Sequence, residues 1–356
     1  MFATRKTFDM ARKPTDQPRL LTRDAFREGV FARDGHKCVV CGDPAKDAHH
    51  IMERRLWPDG GYYVDNGASV CEPCHLKAGS TEISCDELRE KCGIERVVLP
   101  PQLYPDSQYD LWGNLVLDGY RLPGELFQDE SVQKILSPVL HLFRKYSKYP
   151  RTYHLPWSPG ATRDDRLMRS LKAFEGERVV VTEKMDGENT TFYNGFIHAR
   201  ALDYVNHPSR GRIKALHDQV QRDIPEGWRV CGENLSAVHA IRYEELPHFF
   251  MVFSIWDQYN RCLPWDDTVE YAEMLGLRTV PVLYDGIFDE AAVRDLYDPV
   301  TNRDKSEGYV VRIADSFPFR KFRDVVGKYV REGHVQETHG HWYRKDIEFQ
   351  KLAEGA

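Results

Sequence analysis

Two pairs of closely spaced cysteines constrain the fold of this chain more than any other feature. Cys38 and Cys41 form one CxxC pair, Cys71 and Cys74 form the other, and six of the eight cysteines lie between Cys38 and Cys92. Each pair can direct two thiolates at the same ion, and four thiolates satisfy the tetrahedral preference of zinc. The sequence therefore predicts a closed, structural zinc site that supplies much of the folding energy of its segment.

The preference for a metal over disulfides depends on the class of protein. The chain has 356 residues, of which 41% are hydrophobic and 29% charged, as is typical of a globular protein with more than one domain. It has no apolar run of the roughly 18 residues that a membrane-spanning helix needs, and residues 1–6 have no apolar signal core. We therefore expect a cytoplasmic protein without a membrane partner, in which clustered cysteines favour a metal. Because the net charge is −6, any nucleic-acid partner would have to be bound by local basic patches rather than by the overall charge of the protein.

Polar residues around the cysteine pairs predict more than a zinc site. His49 and His50 are adjacent, Asn66 precedes the second pair, and His75 follows it directly. Phosphodiester hydrolysis needs a near-neutral base and a cation for the developing charge, and these residue types supply both. Over about residues 31–79 the pattern resembles the HNH endonuclease family. The resemblance implies that His50 is the general base, that His49 and His75 hold a catalytic divalent cation, and that Asn66 orients the base.

Two alternatives remain open for this segment. The three histidines could simply pack against the zinc knuckle, or the module could bind nucleic acid without cutting it. Cys85 and Cys92 lie outside the two pairs. We interpret them as small buried apolar residues, with a second metal site as the alternative.

From about residue 149 onward, alternating apolar and polar segments predict the strands of a sheet. Asn194-Gly195 is a strong signal for a two-residue hairpin turn. The expected strands cover residues 178–184, 191–193, 196–198, 249–256, 278–284 and 308–313, and a helix is expected from Asp267 to Gly276. This half should therefore be a mainly antiparallel sheet with helices set against it.

A lysine at the end of the first of these strands indicates nucleotide chemistry. The sequence has neither a GxxxxGK[ST] loop nor a GxGxxG motif that opens a helix. Lys184, Asp186 and Gly187 instead form a KxDG motif, which is weak by itself. It is followed in order by residues 231–234, 250–254 and 306–311, and then by Lys321 and Lys328.

Over about residues 149–342 this ordered set resembles the covalent nucleotidyltransferase superfamily, and most closely its ATP-dependent RNA ligases. Residues 151–160, 198–200, 328–331 and 334–336 also resemble segments of that family. The resemblance implies that Lys184 attacks ATP to form a lysyl-AMP adduct and release pyrophosphate. The AMP then passes to a 5′-phosphate, and a 3′-hydroxyl displaces it to form a phosphodiester.

The same resemblance assigns roles to the other motif residues. Glu233 would accept hydrogen bonds from ribose hydroxyls, Phe253 would stack on adenine, and Arg200 would meet the ribose or the polynucleotide end. Glu307 would bind Mg²⁺ or Mn²⁺, for which oxygen is the preferred ligand. The remaining residues expected in the ATP site are Glu183, Asp186, Gly187, Lys321 and Lys328.

An amine that attacks phosphorus must be neutral. Neighbouring cations and partial burial are therefore expected to lower the pKa of Lys184. Either Lys321 or Lys328 would lie against the α-phosphate and stabilise its charge, and Lys328 fits the end of the sheet better. The basic residues 320–331, with Arg200, Arg210, Arg212 and Lys214, form either a solvated face or a phosphate track.

These patterns predict an α+β protein in four segments. They are a polar leader (1–22), an HNH ββα-metal domain with zinc (23–96), a connector with a helix (97–147) and an antiparallel-sheet nucleotidyltransferase domain (148–356). The connector helix, at residues 130–146, should be broken or kinked at Pro138. The stretch after Lys328 is too short for the OB domain of DNA ligases and capping enzymes, and this favours an RNA ligase.

We therefore expect an ATP-dependent RNA ligase with an associated HNH metal-dependent nuclease, acting in nucleic-acid repair. The expected cofactors are ATP, Mg²⁺ or Mn²⁺, and Zn²⁺, and the expected partner is RNA or an RNA-containing duplex. Three alternatives remain: a catalytically silent HNH docking module, a DNA-directed ligase, and AMP transfer to an acceptor other than nucleic acid.

Overall fold

The computed structural model describes residues 18–202, 207–302, 305–333 and 347–354. Most of the expected leader and the family-like segment 334–336 lie outside these described residues. The chain divides into two compact units, Met1–Lys145 (unit 1) and Tyr146–Ala356 (unit 2). The expectation of a mixed α+β protein with mainly antiparallel sheets is confirmed.

Unit 1 combines short helices with two small antiparallel sheets. Its helices are α1 (Arg23–Arg33), α2 (Glu72–Gly79), α3 (Cys85–Lys91) and α4 (Glu130–Ile135), and its strands are β1 (Asp47–His50), β2 (Gly67–Val70), β3 (Leu115–Leu117) and β4 (Tyr120–Leu122). In the β1–β2 pair, Asp47 lies opposite Val70 and His50 opposite Gly67. Helix α2 begins directly after β2, so that two strands and one helix hold the cysteines and histidines together.

The segment expected to be a connector is largely part of unit 1. Asp110 is buried and accepts hydrogen bonds from the backbone of Trp112 and from Arg121. The indole of Trp112 donates a 2.9 Å hydrogen bond to the carbonyl of Gly79 in α2. The expected helix at 130–146 is shorter, because α4 ends before Pro138 and a 3₁₀ turn (Ser137–Leu142) follows.

Unit 2 is built on two sheets. Its strands are β5 (Tyr153–His154), β6 (Arg178–Lys184), β7 (Glu188–Tyr193), β8 (Phe196–Ala199), β9 (Arg229–Asn234), β10 (Phe250–Trp256), β11 (Arg261–Cys262), β12 (Arg278–Thr279), β13 (Val282–Ile287), β14 (Gly308–Ile313), β15 (Phe317–Pro318) and β16 (Val326–Val330). Its helices are α5 (Gly211–Val220), α6 (Trp265–Met274), α7 (Glu290–Arg294) and α8 (Phe322–Val325). One sheet has the order β15-β11-β10-β9-β7-β8, with β12 beside β10, and the other has the order β13-β6-β14-β16-β5.

The position of strand β6 in the interior of its sheet explains its run of valines. It lies between β13 and β14, and Val179, Val180 and Val181 are fully buried. A continuous valine run suits a strand that is covered on both faces. The end of this strand is therefore fixed in position, and Lys184 is its last residue.

The hairpin prediction is confirmed, and one strand prediction is wrong. Tyr193 of β7 pairs with Phe196 of β8, and Gly195 in the turn has a φ of 75°. The strand expected at 278–284 is divided into β12 and β13, which belong to different sheets. Pro281 separates them because proline has no N–H to continue a ladder.

In the part of the chain that the structure describes, no helix is both long enough and apolar enough to cross a membrane.

Candidate functional sites

A cavity of about 600 Å³ in unit 2 contains most of the residues that the sequence assigns to the nucleotide site. Strands β6, β14 and β16 line it from one sheet, and β7, β9 and β10 line it from the other. The lining residues that the sequence predicted are Glu183, Lys184, Gly187, Arg200, Glu233, Phe253 and Lys328. We call this space the unit 2 cavity, and its volume suits a small-molecule ligand.

Lys184 pairs with a carboxylate at the end of β6. It lies opposite Gly308 of β14, and its Nζ donates a 2.6 Å hydrogen bond to Oε2 of Glu307. Burial lowers the pKa of Lys184, but the carboxylates of Glu307 and then Glu233 outweigh this effect, and the pKa is raised. The expectation of a lowered pKa is therefore wrong for this arrangement, because the dominant charges near the amine are carboxylates rather than cations.

Glu233 in β9 lies close to the KxDG motif. Its Oε1 accepts a 3.2 Å hydrogen bond from the backbone N–H of Gly187. A Cβ at Gly187 would lie 2.5 Å from the carbonyl oxygen of Asn234, so the close approach requires glycine. Burial raises the pKa of Glu233 to about 8, although the ammonium of Lys184 lowers it. A carboxyl group with such a raised pKa in a cleft is typical of a functional site.

Asp186 holds the loop that joins β9 to β10 (residues 235–249, the β9–β10 loop). Its Oδ2 accepts hydrogen bonds from the backbone N–H groups of Ala240 at 2.7 Å and Ile241 at 2.9 Å. Its own backbone N–H donates to the hydroxyl of Tyr243 at 2.7 Å. The family resemblance placed Asp186 in the ATP site, but no sequence signal indicated its contacts with this loop.

The structure brings Lys328, and not Lys321, to the cavity. Lys328 lies in β16 opposite Val310 and lines the cavity. Lys321 ends an exposed 3₁₀ turn and is not among the lining residues. Burial lowers the pKa of Lys328 to about 8, and the ammonium of Lys184 acts in the same direction.

The remaining predicted residues lie around the same space. Phe253 lines the cavity and makes an edge contact with Tyr149, with ring centroids 5.0 Å apart. Arg200 is exposed just beyond β8, and Glu183 lines the wall next to Lys184. Burial raises the pKa of Glu183. The cavity thus has an aromatic wall and a strongly charged end.

Two charged clusters at the cavity were not predicted. Arg210 donates two hydrogen bonds to the carboxylate of Glu188, and both side chains are largely buried, so Arg210 is not an open phosphate contact. Arg151 donates a 2.9 Å hydrogen bond to Asp165, and both line the cavity. His154, whose Nε2 is 3.6 Å from Asp165, pairs with Lys328 along the sheet. The family-like segment 151–160 was the sequence signal for the second cluster.

In unit 1 the four predicted cysteines converge. The sulfur atoms of Cys38, Cys41, Cys71 and Cys74 all lie within 4.8 Å of one another, and the Cys41 and Cys71 sulfurs are 3.5 Å apart. Sulfurs that bind one zinc ion at about 2.3 Å are roughly 3.8 Å apart in a tetrahedron. Gly42 has a φ of 83°, as the tight knuckle requires. The donor set and its spacing therefore fit zinc.

The predicted histidines line a second cavity of about 500 Å³, which we call the unit 1 cavity. The rings of His49 and His75 are in edge contact at 4.9 Å, and Nδ1 of His75 is 3.2 Å from a carboxylate oxygen of Asp47. His50 stacks on Phe26 at 4.6 Å. Burial lowers the pKa of His49 to about 3 and that of His50 to about 4. Their Nε2 atoms are buried and have no hydrogen-bond partner among the described residues.

Asn66 is buried, but its hydrogen bonds go to backbone rather than to His50. Its Oδ1 accepts from the N–H of Met52, and its Nδ2 donates to the carbonyls of Met52 and Gly61. The expectation that Asn66 orients the base is therefore refined. Asn66 fixes the chain two residues after His50 rather than the imidazole itself.

The two other cysteines of unit 1 are isolated from the cluster. Cys85 is buried and its thiol donates to the carbonyl of Ile51 at 3.1 Å. Burial raises the pKa of Cys85 to about 12 and that of Cys92 to about 11, so both thiols stay protonated at neutral pH. Among the described residues, the four-cysteine cluster is the one group of this kind whose ligand atoms converge. Cys85 and Cys92 thus behave as small packing residues.

Comparison with known proteins finds a family match within unit 2. Residues 177–330 match the family model described as RNA ligase. No curated protein matches the chain. The family match includes Lys184, Glu233, Glu307 and both candidate lysines, and it does not include unit 1.

Several solved structures show limited similarity. An archaeal ATP-dependent RNA ligase is 20% identical with a TM-score of 0.38, and the match covers 52% of this chain and 48% of that chain. A Naegleria gruberi RNA ligase with AMP and Mn is 14% identical with a TM-score of 0.36, covering 54% of this chain and 58% of that one. The chain thus spans about half the length of the archaeal ligase.

Proposed function

We propose that this protein is an ATP-dependent RNA ligase that uses Lys184 as its adenylyl carrier. The observation that carries the proposal is the position of Lys184 at the charged end of the unit 2 cavity, within the segment that matches the RNA ligase family model. Glu307 and Glu233 flank the amine, and Lys328 lies in the same cavity wall.

In the first step, Nζ of Lys184 attacks the α-phosphorus of ATP. A nitrogen–phosphorus bond forms, the bond from the α-phosphorus to the bridging oxygen breaks, and pyrophosphate leaves. The ammonium must lose a proton before it can attack, and Glu307 is its hydrogen-bonded acceptor at 2.6 Å. When Mg²⁺ or Mn²⁺ is bound, Glu307 would hold it, and the cation would neutralise phosphate charge. Glu233 would accept hydrogen bonds from the ribose hydroxyls.

In the later steps the AMP is used to join two ends. It passes from the lysine to a 5′-phosphate, and a 3′-hydroxyl then displaces it. Phe253 offers an aromatic face for adenine, and Arg200 offers an exposed cation at the rim for the ribose or the polynucleotide. The proposed substrate is RNA or an RNA-containing duplex.

One experiment tests the activity and the substrate class together. The protein is incubated with α-labelled ATP and Mg²⁺, and then with nicked duplexes in all RNA and DNA combinations. We expect a labelled protein band that is consumed as labelled AMP moves to a 5′-phosphate and sealed product forms on RNA-containing nicks. Sealing of all-DNA nicks alone would support a DNA ligase instead. Label that leaves the protein without joining any nick would favour another acceptor.

The two candidate lysines provide a matched pair of variants. Lys328→Ala should slow formation of the covalent adenylate by about 10²- to 10³-fold, because it removes a cation beside the reacting phosphate. Lys321→Ala removes the same charge from an exposed turn and should change the rate less than twofold, a roughly neutral surface effect. Single-turnover labelling with α-labelled ATP measures both. Equal effects of the two substitutions would contradict the assignment.

A second activity is proposed for unit 1, where the unit 1 cavity supports a metal-dependent HNH nuclease. Within the described part of the chain, the Nε2 atoms of His49 and His50 have no hydrogen-bond partner. This and the edge contact of His49 with His75 favour the proposed function. His49 and His75 would hold the divalent cation, and neutral His50 would accept a proton from water. Zinc on the four cysteines would stabilise the same segment. Cutting and sealing by one chain would suit nucleic-acid repair.

Substitution of His50 by alanine tests this activity. We expect metal-dependent cleavage of plasmid and RNA substrates to fall by at least about 10²-fold, because the general base is lost. Assays with Mg²⁺, Mn²⁺ and Ni²⁺ measure it. Covalent adenylation should be unchanged in His50→Ala, and cleavage should be unchanged in Lys184→Ala. If the unaltered protein cuts nothing but His50→Ala binds substrate normally, unit 1 is a docking module.

A further inference from the structure

A C-terminal segment outside the family match packs against the β9–β10 loop. Residues 347–354, which we call the C-terminal strap, follow the matched segment 177–330 in the sequence. The backbone N–H of Val238 donates to the carbonyl of Glu348 at 2.8 Å, and that of Gln350 donates to Ser236 at 3.1 Å. The strap is therefore bound to the loop like an added strand.

Gln350 is the central contact of this strap. Its side chain is buried, with 1% of the residue exposed. Its Nε2 donates to the carbonyl of Ile241 at 2.7 Å, and its Oε1 accepts from the backbone N–H of Tyr243 at 3.1 Å. Both ends of the amide are thus used on the β9–β10 loop, and loss of the bond to Ile241 would leave a buried carbonyl without this partner.

The residues that Gln350 holds also contact the KxDG motif. The N–H of Ile241 donates to Asp186 at 2.9 Å, and the hydroxyl of Tyr243 accepts from the N–H of Asp186 at 2.7 Å. Asp186 follows Lys184 by two residues. The backbone of Ile241 therefore contacts the strap through its carbonyl and the motif turn through its N–H.

We propose that Gln350 is a positioning residue for the Lys184 nucleophile. It fixes Ile241 and Tyr243, these fix Asp186, and Asp186 fixes the turn that follows the lysine. Nucleophilic attack requires close alignment, so a shift of about 1 Å at this turn can cost on the order of 10²-fold in rate. This inference rests on the proposed adenylyltransferase function, and it adds the C-terminal strap to that site.

The test compares Gln350→Met, which keeps the volume but removes both hydrogen bonds, with Lys351→Ala, an exposed neighbour in the same strap. Single-turnover formation of the covalent adenylate is measured at saturating ATP in the full-length protein. We expect a rate constant about tenfold lower in Gln350→Met, with the half-saturating ATP concentration changed less than twofold. Lys351→Ala should match the unaltered protein.

This readout distinguishes positioning from a general loss of folded protein. A smaller folded fraction lowers the amplitude of the single turnover but leaves its rate constant unchanged. An unchanged rate constant in Gln350→Met, whatever the amplitude, would overturn the proposal.

Amide hydrogen exchange tests the same series of contacts, from Gln350 through the β9–β10 loop to Asp186, without any nucleotide chemistry. Gln350→Met should speed exchange in peptides that cover residues 240–243 and also in peptides that cover residues 184–187. If exchange were faster only in the strap and the β9–β10 loop, the proposed link from Gln350 to the KxDG motif would be wrong. If even the unaltered protein forms no adenylate, the ligase proposal fails, whereas the exchange result still decides the structural link.

Discussion

Substitution of Lys184 by alanine should abolish the covalent adenylate and reduce joining of 5′-phosphate and 3′-hydroxyl ends by at least about 10⁴-fold. The reason is that the amine is the atom to which AMP is attached, so no neighbouring group can replace it. Lys184→Arg should lose the adduct as completely, because arginine keeps the positive charge but stays protonated. Labelling with α-labelled ATP and an RNA joining assay measure the two effects.

A pre-adenylated RNA strand provides the internal control for these variants. It already carries the AMP, so its joining does not require the lysine nucleophile, and Lys184→Ala should retain much of this final step. Failure on both substrates would indicate that the substitution damaged the cavity in general. Retention of the adduct in Lys184→Arg would contradict the nucleophile assignment.

Substitution of Cys71 by serine should release zinc and unfold unit 1. Structural zinc contributes about 10 kcal/mol or more of apparent binding free energy in small zinc modules, which is comparable to the whole stability of a typical domain. Serine offers a weaker ligand than a thiolate, so the tetrahedral set on Cys38, Cys41 and Cys74 would be incomplete. Elemental analysis of bound zinc and limited proteolysis within residues 18–145 measure the two consequences.

Cys92→Ser is the matched control for this experiment. Cys92 is a half-buried cysteine of the same unit but lies outside the cluster. The variant should retain one zinc per chain and the protease resistance of the unaltered protein. An unaltered protein that contains no zinc, or a Cys71→Ser variant as resistant as Cys92→Ser, would show that the four thiols do not form a structural site.

Local patterns in the sequence predicted local structure well. The Asn194-Gly195 turn, the valine run of β6 and the two CxxC pairs each depend on neighbouring residues. Their physical causes are the φ preference of glycine, the burial of a central strand and the geometry of a knuckle. These causes act over a few residues, so one sequence is sufficient to detect them.

Features that depend on tertiary packing were not predictable in the same way. Pro281 marks a break within 278–284, but no local signal indicates that β12 and β13 join different sheets. The segment 97–147 was predicted to be a connector, and no local signal indicated that Asp110 and Trp112 within it would be buried. Both outcomes depend on partners that are distant in the sequence.

In the candidate site, too, some features could be predicted from local sequence and others depend on tertiary packing. The KxDG motif singled out Lys184, which lines the unit 2 cavity, but the direction of its pKa shift depends on Glu307 and Glu233, which the fold brings beside it. The choice between Lys321 and Lys328 likewise required the cavity. The residue types in the motifs thus indicated nucleotide chemistry. The pKa of Lys184 depends in addition on how close the fold brings the carboxylates to its amine.

The central claim is that Nζ of Lys184 carries AMP, and peptide mass spectrometry of the nucleotide-treated protein tests it most directly. The protein is incubated with ATP and Mg²⁺, digested under conditions that preserve phosphoramidates, and each lysine peptide is examined for one added adenylate. The account predicts the adenylate on the peptide that contains Lys184 and its loss when pyrophosphate is added to reverse the reaction. Adenylate on a different lysine, or none on any peptide of an otherwise folded protein, would contradict it.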